Sequence, residues 1–365
     1  MKILTIIGAR PQFVKAAILS YAINQDHRIE EVIVHTGQHY DNNMSDIFFR
    51  ELNIPQAKYN LNIGSGSHGR QTGIMLEKIE EVILKEKPDA VMVYGDTNST
   101  IAGALSAVKV HVPVIHIEAG MRSFNRQMPE EVNRVVTDHL AAINFCSTPV
   151  AVKNLENEGR GHTAILVGDV MYDAALLFGK VASEHCTPLA KLGLREKSYL
   201  LVTCHRAENT DNPQNLENIL AAINELSQDH VVVYPIHPRT RHVIETGGYK
   251  IDEKVKLIDP VGYLDMILLE KQAKMIITDS GGVQKEAFFY QVPCVTMRNE
   301  TEWVETVEAG YNKLAGSDKG QITAAVKSFS AAPPPPQSAA PYGNGDSCRK
   351  IIDFLVKSNF STGKA

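Results

Sequence analysis

The stretch KMIITDSGGVQKEA, Lys274 to Ala287, sets the reading of the whole chain. Met275 to Thr278 is a short run, largely β-branched, of the kind that forms a buried strand. Asp279 and Ser280 follow, both residue types that cap helix N-termini. Gly281 and Gly282 come next, and a helical run begins at Val283. The free amides of a first helical turn carry partial positive charge. Two glycines remove the side chains that would hold a ligand away from them. Phosphate is the usual occupant of such a turn. Glu286 lies about one helical turn further on, where a carboxylate can take the hydroxyls of a ribose. The alternative is a βα turn that binds nothing; Glu286 favours a nucleotide pocket.

The same grammar recurs on both sides of this stretch. Lys2 to Ile7 reads as a strand, and Gly8-Ala9-Arg10-Pro11 turns into a helix with proline at its first position. Arg10 and Lys15 then fall at the C-terminal edge of that strand, where ligands of open α/β sheets bind. Two cations there suit a diphosphate, or are ordinary surface charges. Glu31 to His35, Ala90 to Tyr94, Val112 to Ile117 and Ala142 to Cys146 read as further strands. Asp96, just after one of them, and Glu118, at the end of the next, share one rim of a parallel sheet. Glu130 opens a helix at Pro129-Glu130-Glu131, where it complements the helix dipole or joins the other two as a third acid.

The alternation restarts at Tyr199 to Thr203, which ends in Cys204-His205-Arg206. His205, at a strand's C-terminal end, is a candidate for proton or phosphate work. Residues 188–197 read as irregular, and a helix is expected from about Thr72 to Lys85. Gly64 to Gly69, GSGSHG, fits the dinucleotide fingerprint letter for letter, but a poor strand precedes it and it reads as a loop. Ser328 to Pro341, with four prolines in a row, reads as a semi-rigid linker. The pattern predicts an α/β protein with two Rossmann-like doubly wound domains around a central cleft. Residues 1–168 would carry the acids and 169–340 the nucleotide turn, with a closing helix in 341–365 packing back on the first domain.

A length of 365 residues suits two domains, and 44% apolar residues suffice for full cores. The net charge of -5 and the lack of a basic run argue against a nucleic-acid binder. No apolar stretch reaches the roughly 18 residues of a membrane span. Five scattered cysteines without a CxxC pair read as reduced thiols of a cytoplasmic protein, with no metal framework. The predicted substrate is a nucleotide-linked sugar.

The motifs GARPQFVKAA, VYGDTNST, HIEAGMRS, MPEEVNR, TCHRAEN, TDSGGVQKEA, RNETEW and PYGNGDS occur in this order. Together they resemble the non-hydrolysing UDP-N-acetylglucosamine 2-epimerase family, nearly end to end. The resemblance implies a GT-B-like fold, a homodimer, no added cofactor, and a place in making precursors of cell-surface polysaccharide such as O-antigen. It also implies elimination of UDP across carbons 1 and 2 of the sugar, followed by re-addition. By resemblance Asp96, Glu118 and Glu130 match the catalytic acids, and His205 a catalytic or phosphate-contacting histidine. Arg10 and Lys15 match substrate contacts, Ser280, Gly281 and Gly282 the phosphate turn, and Glu286 the ribose ligand.

Three departures stand out. Gln12 replaces an acid common in the family, Trp303 an arginine, and QHYDNNM (38–44) a motif of an allosteric substrate site. They resemble the branch that epimerises UDP-2,3-diacetamido-2,3-dideoxy-glucuronate. Loss of the acid at position 12 would lessen repulsion of a uronate, if that side chain faces the sugar. Trp303 would pack on an acetamido methyl or fill core volume. The rival readings are a GT-B glycosyltransferase, a non-catalytic UDP-sugar sensor and a nicotinamide-dependent oxidoreductase built on GSGSHG.

Overall fold

In the computed structural model, residues 1–38, 56–335 and 340–358 are described, with backbone alone at Arg10 and Pro11. The apolar runs become two sheets in which all paired strands are parallel. The first contains β1 (Lys2–Ile7), β2 (Glu30–His35), β3 (Tyr59–Asn60), β4 (Ala90–Tyr94), β5 (Val114–Ala119), β6 (Ile143–Cys146) and β7 (Ala164–Leu166). Their order is β3-β2-β1-β4-β5-β6-β7. The second contains β8 (Tyr199–Thr203), β9 (Val231–Pro235), β10 (Val255–Ile258), β11 (Met275–Thr278), β12 (Cys294–Thr296) and β13 (Asn312–Leu314), in the order β10-β9-β8-β11-β12-β13. Both orders reverse direction once, at β1/β4 and at β8/β11. The carboxyl ends of strands at such a reversal form the usual ligand crevice of open α/β sheets.

Central strands are apolar throughout because helices cover both faces. AVMVY of β4 is buried at every residue. Leu4, Ile6, Val91 and Val93 pack with Met75, Ile79 and Ile83 of the His68–Glu86 helix, whose spacing of four places them on one stripe. Burying each such side chain stabilises the fold by about 2 kcal/mol. An Ile79→Asp change would place an unpaired charge in that core.

The chain divides into two units, residues 1–176 with 340–365, and residues 177–339, the first division falling inside the Val170–His185 helix. The closing helix, Ser347–Lys357, belongs to the first unit. There Asp173 accepts the backbone amides of Ser347 (3.2 Å) and Cys348 (2.8 Å), and Phe354 meets Phe145 edge-on. Burial raises the Asp173 carboxyl above its usual range, although these amides pull it down.

Some local expectations are corrected. Ser328 to Ala331 is the end of the Lys319–Ala331 helix rather than linker, because Ile322, Val326 and Phe329 form one buried stripe. Pro188–Leu192 is a short helix. The His68–Glu86 helix starts earlier than Thr72, within GSGSHG itself. Residues 39–44 of QHYDNNM lie outside the described residues. No helix among the described residues is long and apolar enough to cross a membrane.

Candidate active site

At the β1/β4 reversal the first unit assembles charged and amide side chains. Gly8 ends β1 where a Cβ would run into the hydroxyls of Thr36 and Ser99. Gln12, one turn into the Arg10–Asn24 helix, is buried. Its Oε1 accepts the amides of Gly8 (2.8 Å) and Ala9 (3.0 Å), while its Nε2 donates to the Tyr94 carbonyl (2.9 Å) and Thr100 Oγ1 (3.0 Å). Gln12 therefore ties the first turn to β4. Both ends of its side-chain amide are thus bonded inside the unit, which gives no support to the condition that this side chain faces the sugar. The side chain of Arg10 lies outside what the structure describes.

Asp96 and Glu118 sit at the ends of neighbouring strands, and each meets a cation. The Lys15 ammonium pairs with Glu118, with side chains only 10% and 8% exposed. Asp96 pairs with Arg134 of the Pro129–Leu140 helix. Gly95 (φ +60°) lies between the two: a Cβ there would be 3.4 Å from Glu118 Oε2 and 3.5 Å from Lys15 Nζ. Glu118 itself adopts φ +67°, beside a register shift in the β5/β6 pairing. That conformation strains a non-glycine residue.

The adjacent carboxylates of the Pro129–Leu140 helix have separate tasks. Glu131 is buried and accepts Ser123 N (2.9 Å), Phe124 N (3.0 Å) and Arg134 Nη1 (3.1 Å). Glu130 is exposed and, among the described residues, forms no ion pair. Asn133 joins the same turn, donating to the Asp96 carbonyl at 3.0 Å.

At the β8/β11 reversal the second unit presents the other candidates. Asp279, fully buried, does not cap its own helix. It accepts the amides of His205 (3.0 Å) and Arg206 (3.0 Å) and the Asn209 side chain (3.2 Å) across the reversal. This fixes the turn that carries the exposed His205 ring. Ser280 occupies the N-cap position of the Gly281–Phe289 helix without a side-chain cap bond. A Cβ at Gly282 would meet only Ser280 Oγ, at 3.9 Å, and Gly282 is exposed, so there is room beside the first turn of this helix. A Cβ at Gly281 would lie 3.3 Å from Trp303 Nε1. Lys285 is buried with its ammonium 3.9 Å from the Trp303 ring centroid. Glu286 is also buried, and Tyr263 donates to its Oε1 at 3.2 Å. Burial, then the charge of Glu286, keeps the Tyr263 phenol well above its usual range, so it remains a donor. Arg298 grips Glu302 through two bonds of 3.0 and 3.1 Å. Burial pushes the Glu302 carboxyl up, but Arg298 outweighs it and the net shift is downward. No cluster suited to a metal ion occurs among the described residues.

The family pattern described as UDP-N-acetylglucosamine 2-epimerase matches residues 21–356. The chain belongs to the UDP-N-acetylglucosamine 2-epimerase family. It is 54% identical to a UDP-N-acetylglucosamine 2-epimerase homolog of Methanococcus maripaludis, over 97% of this chain and 99% of that one. It is 52% identical to the UDP-2,3-diacetamido-2,3-dideoxy-D-glucuronate 2-epimerase of Pseudomonas aeruginosa, over 98% and 100%. Among solved structures it is similar to the Methanocaldococcus jannaschii UDP-GlcNAc 2-epimerase in complex with UDP-GlcNAc and UDP. That likeness has a TM-score of 0.91 and 45% identity, and covers 98% of this chain and 100% of the other. This epimerase-family chain is thus α/β with GT-B-like relatives.

Sequence reasoning missed Glu131, Arg134, Lys285 and the buried pair His116 and Asp138. Glu131 and Arg134 were in view within MPEEVNR, but nothing in the letters separates a buried glutamate from its exposed neighbour. Asp138 carried the better signal: an acid one turn after Arg134, on the buried side of an amphipathic helix.

Proposed function

We propose that this chain inverts carbon 2 of a UDP-linked 2-acetamido sugar, interconverting gluco and manno forms by loss and return of UDP. The observation that carries the reading is the content of the two sheet reversals. One bears Asp96 and Glu118, each held by a cation. The other bears an open helix N-terminus with His205 on the neighbouring turn. The relatives named above support it.

In this course a carboxylate takes the hydrogen of carbon 2. The released pair forms the carbon 1–carbon 2 double bond as the carbon 1–oxygen bond breaks, and that bond's electrons leave with UDP. UDP then returns with a proton delivered to the opposite face. Two faces require at least two proton-transfer groups, and the departing diphosphate requires cations or amides. Glu130, exposed and outside any ion pair among the described residues, is the acid free to exchange protons directly. Asp96 and Glu118 complete the set. Arg10, Lys15, Ser280, Gly281 and Gly282 take the diphosphate, Glu286 the ribose, and His205 a phosphate oxygen or a proton. The working form in this reading is a cytoplasmic homodimer that supplies precursors of a cell-surface polysaccharide.

A second reading concerns the sugar. UDP-2,3-diacetamido-2,3-dideoxy-glucuronate is favoured by the 52% identical relative and by a buried cation, Lys285, stacked on Trp303 beside Gly281. Proton NMR of each UDP-sugar with the pure protein tests both readings. Appearance of a manno product from either sugar supports the reaction, and the ratio of specificity constants identifies the substrate. An unchanged spectrum with both removes the reaction.

A further inference from the structure

Glu118 stands in a left-handed conformation at the end of β5, and one buried carboxylate holds the chain on both sides of it. Two residues before, His116 Nδ1 lies 2.7 Å from Asp138 Oδ1. Two residues after, the Gly120 amide donates to Asp138 Oδ2 at 3.1 Å. The His116 and Asp138 side chains are both completely buried. Arg122 adds a third hold on Asp138, at 2.7 Å, and donates to the Met121 carbonyl at 2.6 Å. The other edge of the His116 ring faces the Gly95 carbonyl at 2.7 Å. A carbonyl only accepts, so the proton on that edge sits on Nε2.

We propose that His116 and Asp138 are positioning residues for the reaction. Asp138 clamps the strained backbone of Glu118, and His116 transmits the same constraint to Gly95, the residue before Asp96. The inference rests on the reading of Asp96 and Glu118 as reacting acids. A left-handed glutamate persists only where its surroundings over-determine it. The clamp supplies that determination, with bonds at i−2 and i+2 converging on one carboxylate. Gly120 adds a steric reason for the geometry: its φ is +79°, and a Cβ there would strike the Ala151 carbonyl. Catalytic groups must be held within a fraction of an ångström of their productive placement. A loosened clamp should therefore slow the chemical step far more than it weakens nucleotide binding. Ser280, Gly281 and Gly282 of the diphosphate turn lie in the second unit, and of the proposed diphosphate contacts only Lys15, through Glu118, meets the clamped segment among the described residues.

The test uses Asp138→Asn, His116→Asn and Glu158→Gln in the full-length protein, with Glu118→Gln beside them. Asp138→Asn keeps the shape but removes the charge that Arg122 meets, and turns a donor either toward His116 or toward Gly120 and Arg122 together. His116→Asn keeps a donor near Asp138 and abandons Gly95, and serves if Asp138→Asn does not fold. Glu158→Gln removes the outer partner of Arg122, bonded at 2.8 and 2.7 Å, and leaves the clamp in place. The expected result is a fall in kcat of about 100-fold for either clamp variant, with KM and UDP affinity within about threefold and kcat unchanged in Glu158→Gln. Full kcat in folded clamp variants while Glu118→Gln is inactive overturns the clamp alone. An active Glu118→Gln overturns the underlying reading and the clamp with it.

Discussion

Lys15 and Glu118 form a buried ion pair directly over Gly95, where neither charge has easy access to water. Removing one member takes from the other its buried ion-pair partner, a change that costs about 3 kcal/mol. We therefore predict that Lys15→Met lowers folding stability by about that amount and also lowers turnover. Urea unfolding and a rate assay check it. A variant as stable and as active as the parent would show that the pair is ornamental.

Glu130 and Glu131 are neighbours in sequence with opposite environments. Glu130→Gln should leave stability within about 0.5 kcal/mol, as surface substitutions do, and reduce turnover by about 100-fold or more. Glu131→Gln replaces an acceptor serving two backbone amides and Arg134, so a loss of about 2 kcal/mol in stability is expected. Thermal melting and kcat for both variants decide it; the assignment fails if Glu130→Gln turns over at the parent rate.

Gly281→Ala tests the phosphate turn. The added methyl would sit 3.3 Å from Trp303 Nε1, a contact that a small shift of the indole relieves, so the fold should persist. The methyl would also take up room in the turn that the proposed diphosphate needs. UDP affinity is expected to fall about tenfold, or 1.4 kcal/mol. Calorimetry with UDP gives the answer, and unchanged affinity would place the diphosphate elsewhere.

Glu86 governs part of the acid stability of the first unit. Lys2 donates to it at 2.7 Å and Lys58 lies at 2.8 Å, and Tyr59 donates to it as well. These bonds, that of Lys2 foremost, bring its carboxyl down from 4.5 to about 2. A depressed folded-state pKa adds stability that is complete above the unfolded value and lost as pH falls through the folded value. Glu86→Gln should therefore lower Tm at pH 7, and its deficit should shrink between pH 4.5 and about 2. A deficit that stays constant over that range would contradict the linkage.

Much of this architecture was legible in the chain. Buried parallel strands leave continuous apolar runs such as AVMVY, and the polar residues that end them mark the ligand edge. Asp96, Glu118, His205 and Ser280 were expected at strand ends on that ground, and they stand at or just after the ends of β4, β5, β8 and β11. What could not be read was which polar groups spend their bonding capacity internally. Gln12 looked like a substrate-facing departure and proved to be a strut between β1 and β4. Asp279 looked like a helix cap and instead holds the turn of His205. Such assignments depend on contacts more than 70 residues apart, as for Asp279 and His205 (|i−j| of 74) and for Gln12 and Tyr94 (82). Local pattern carries no information about them. The helical end of the supposed linker at Ser328 was missed because Ala and Ser dilute its apolar stripe.

The central claim is that the carbon 2 hydrogen leaves and returns. Incubating the protein in deuterated water with UDP-N-acetylglucosamine and, separately, with UDP-2,3-diacetamido-2,3-dideoxy-glucuronate measures this directly by mass spectrometry and NMR. The account predicts that at least one of the two sugars gains a single deuterium at carbon 2 and appears as a gluco and manno mixture, and that Glu118→Gln abolishes both changes. Recovery of both sugars with hydrogen and configuration at carbon 2 intact would contradict it.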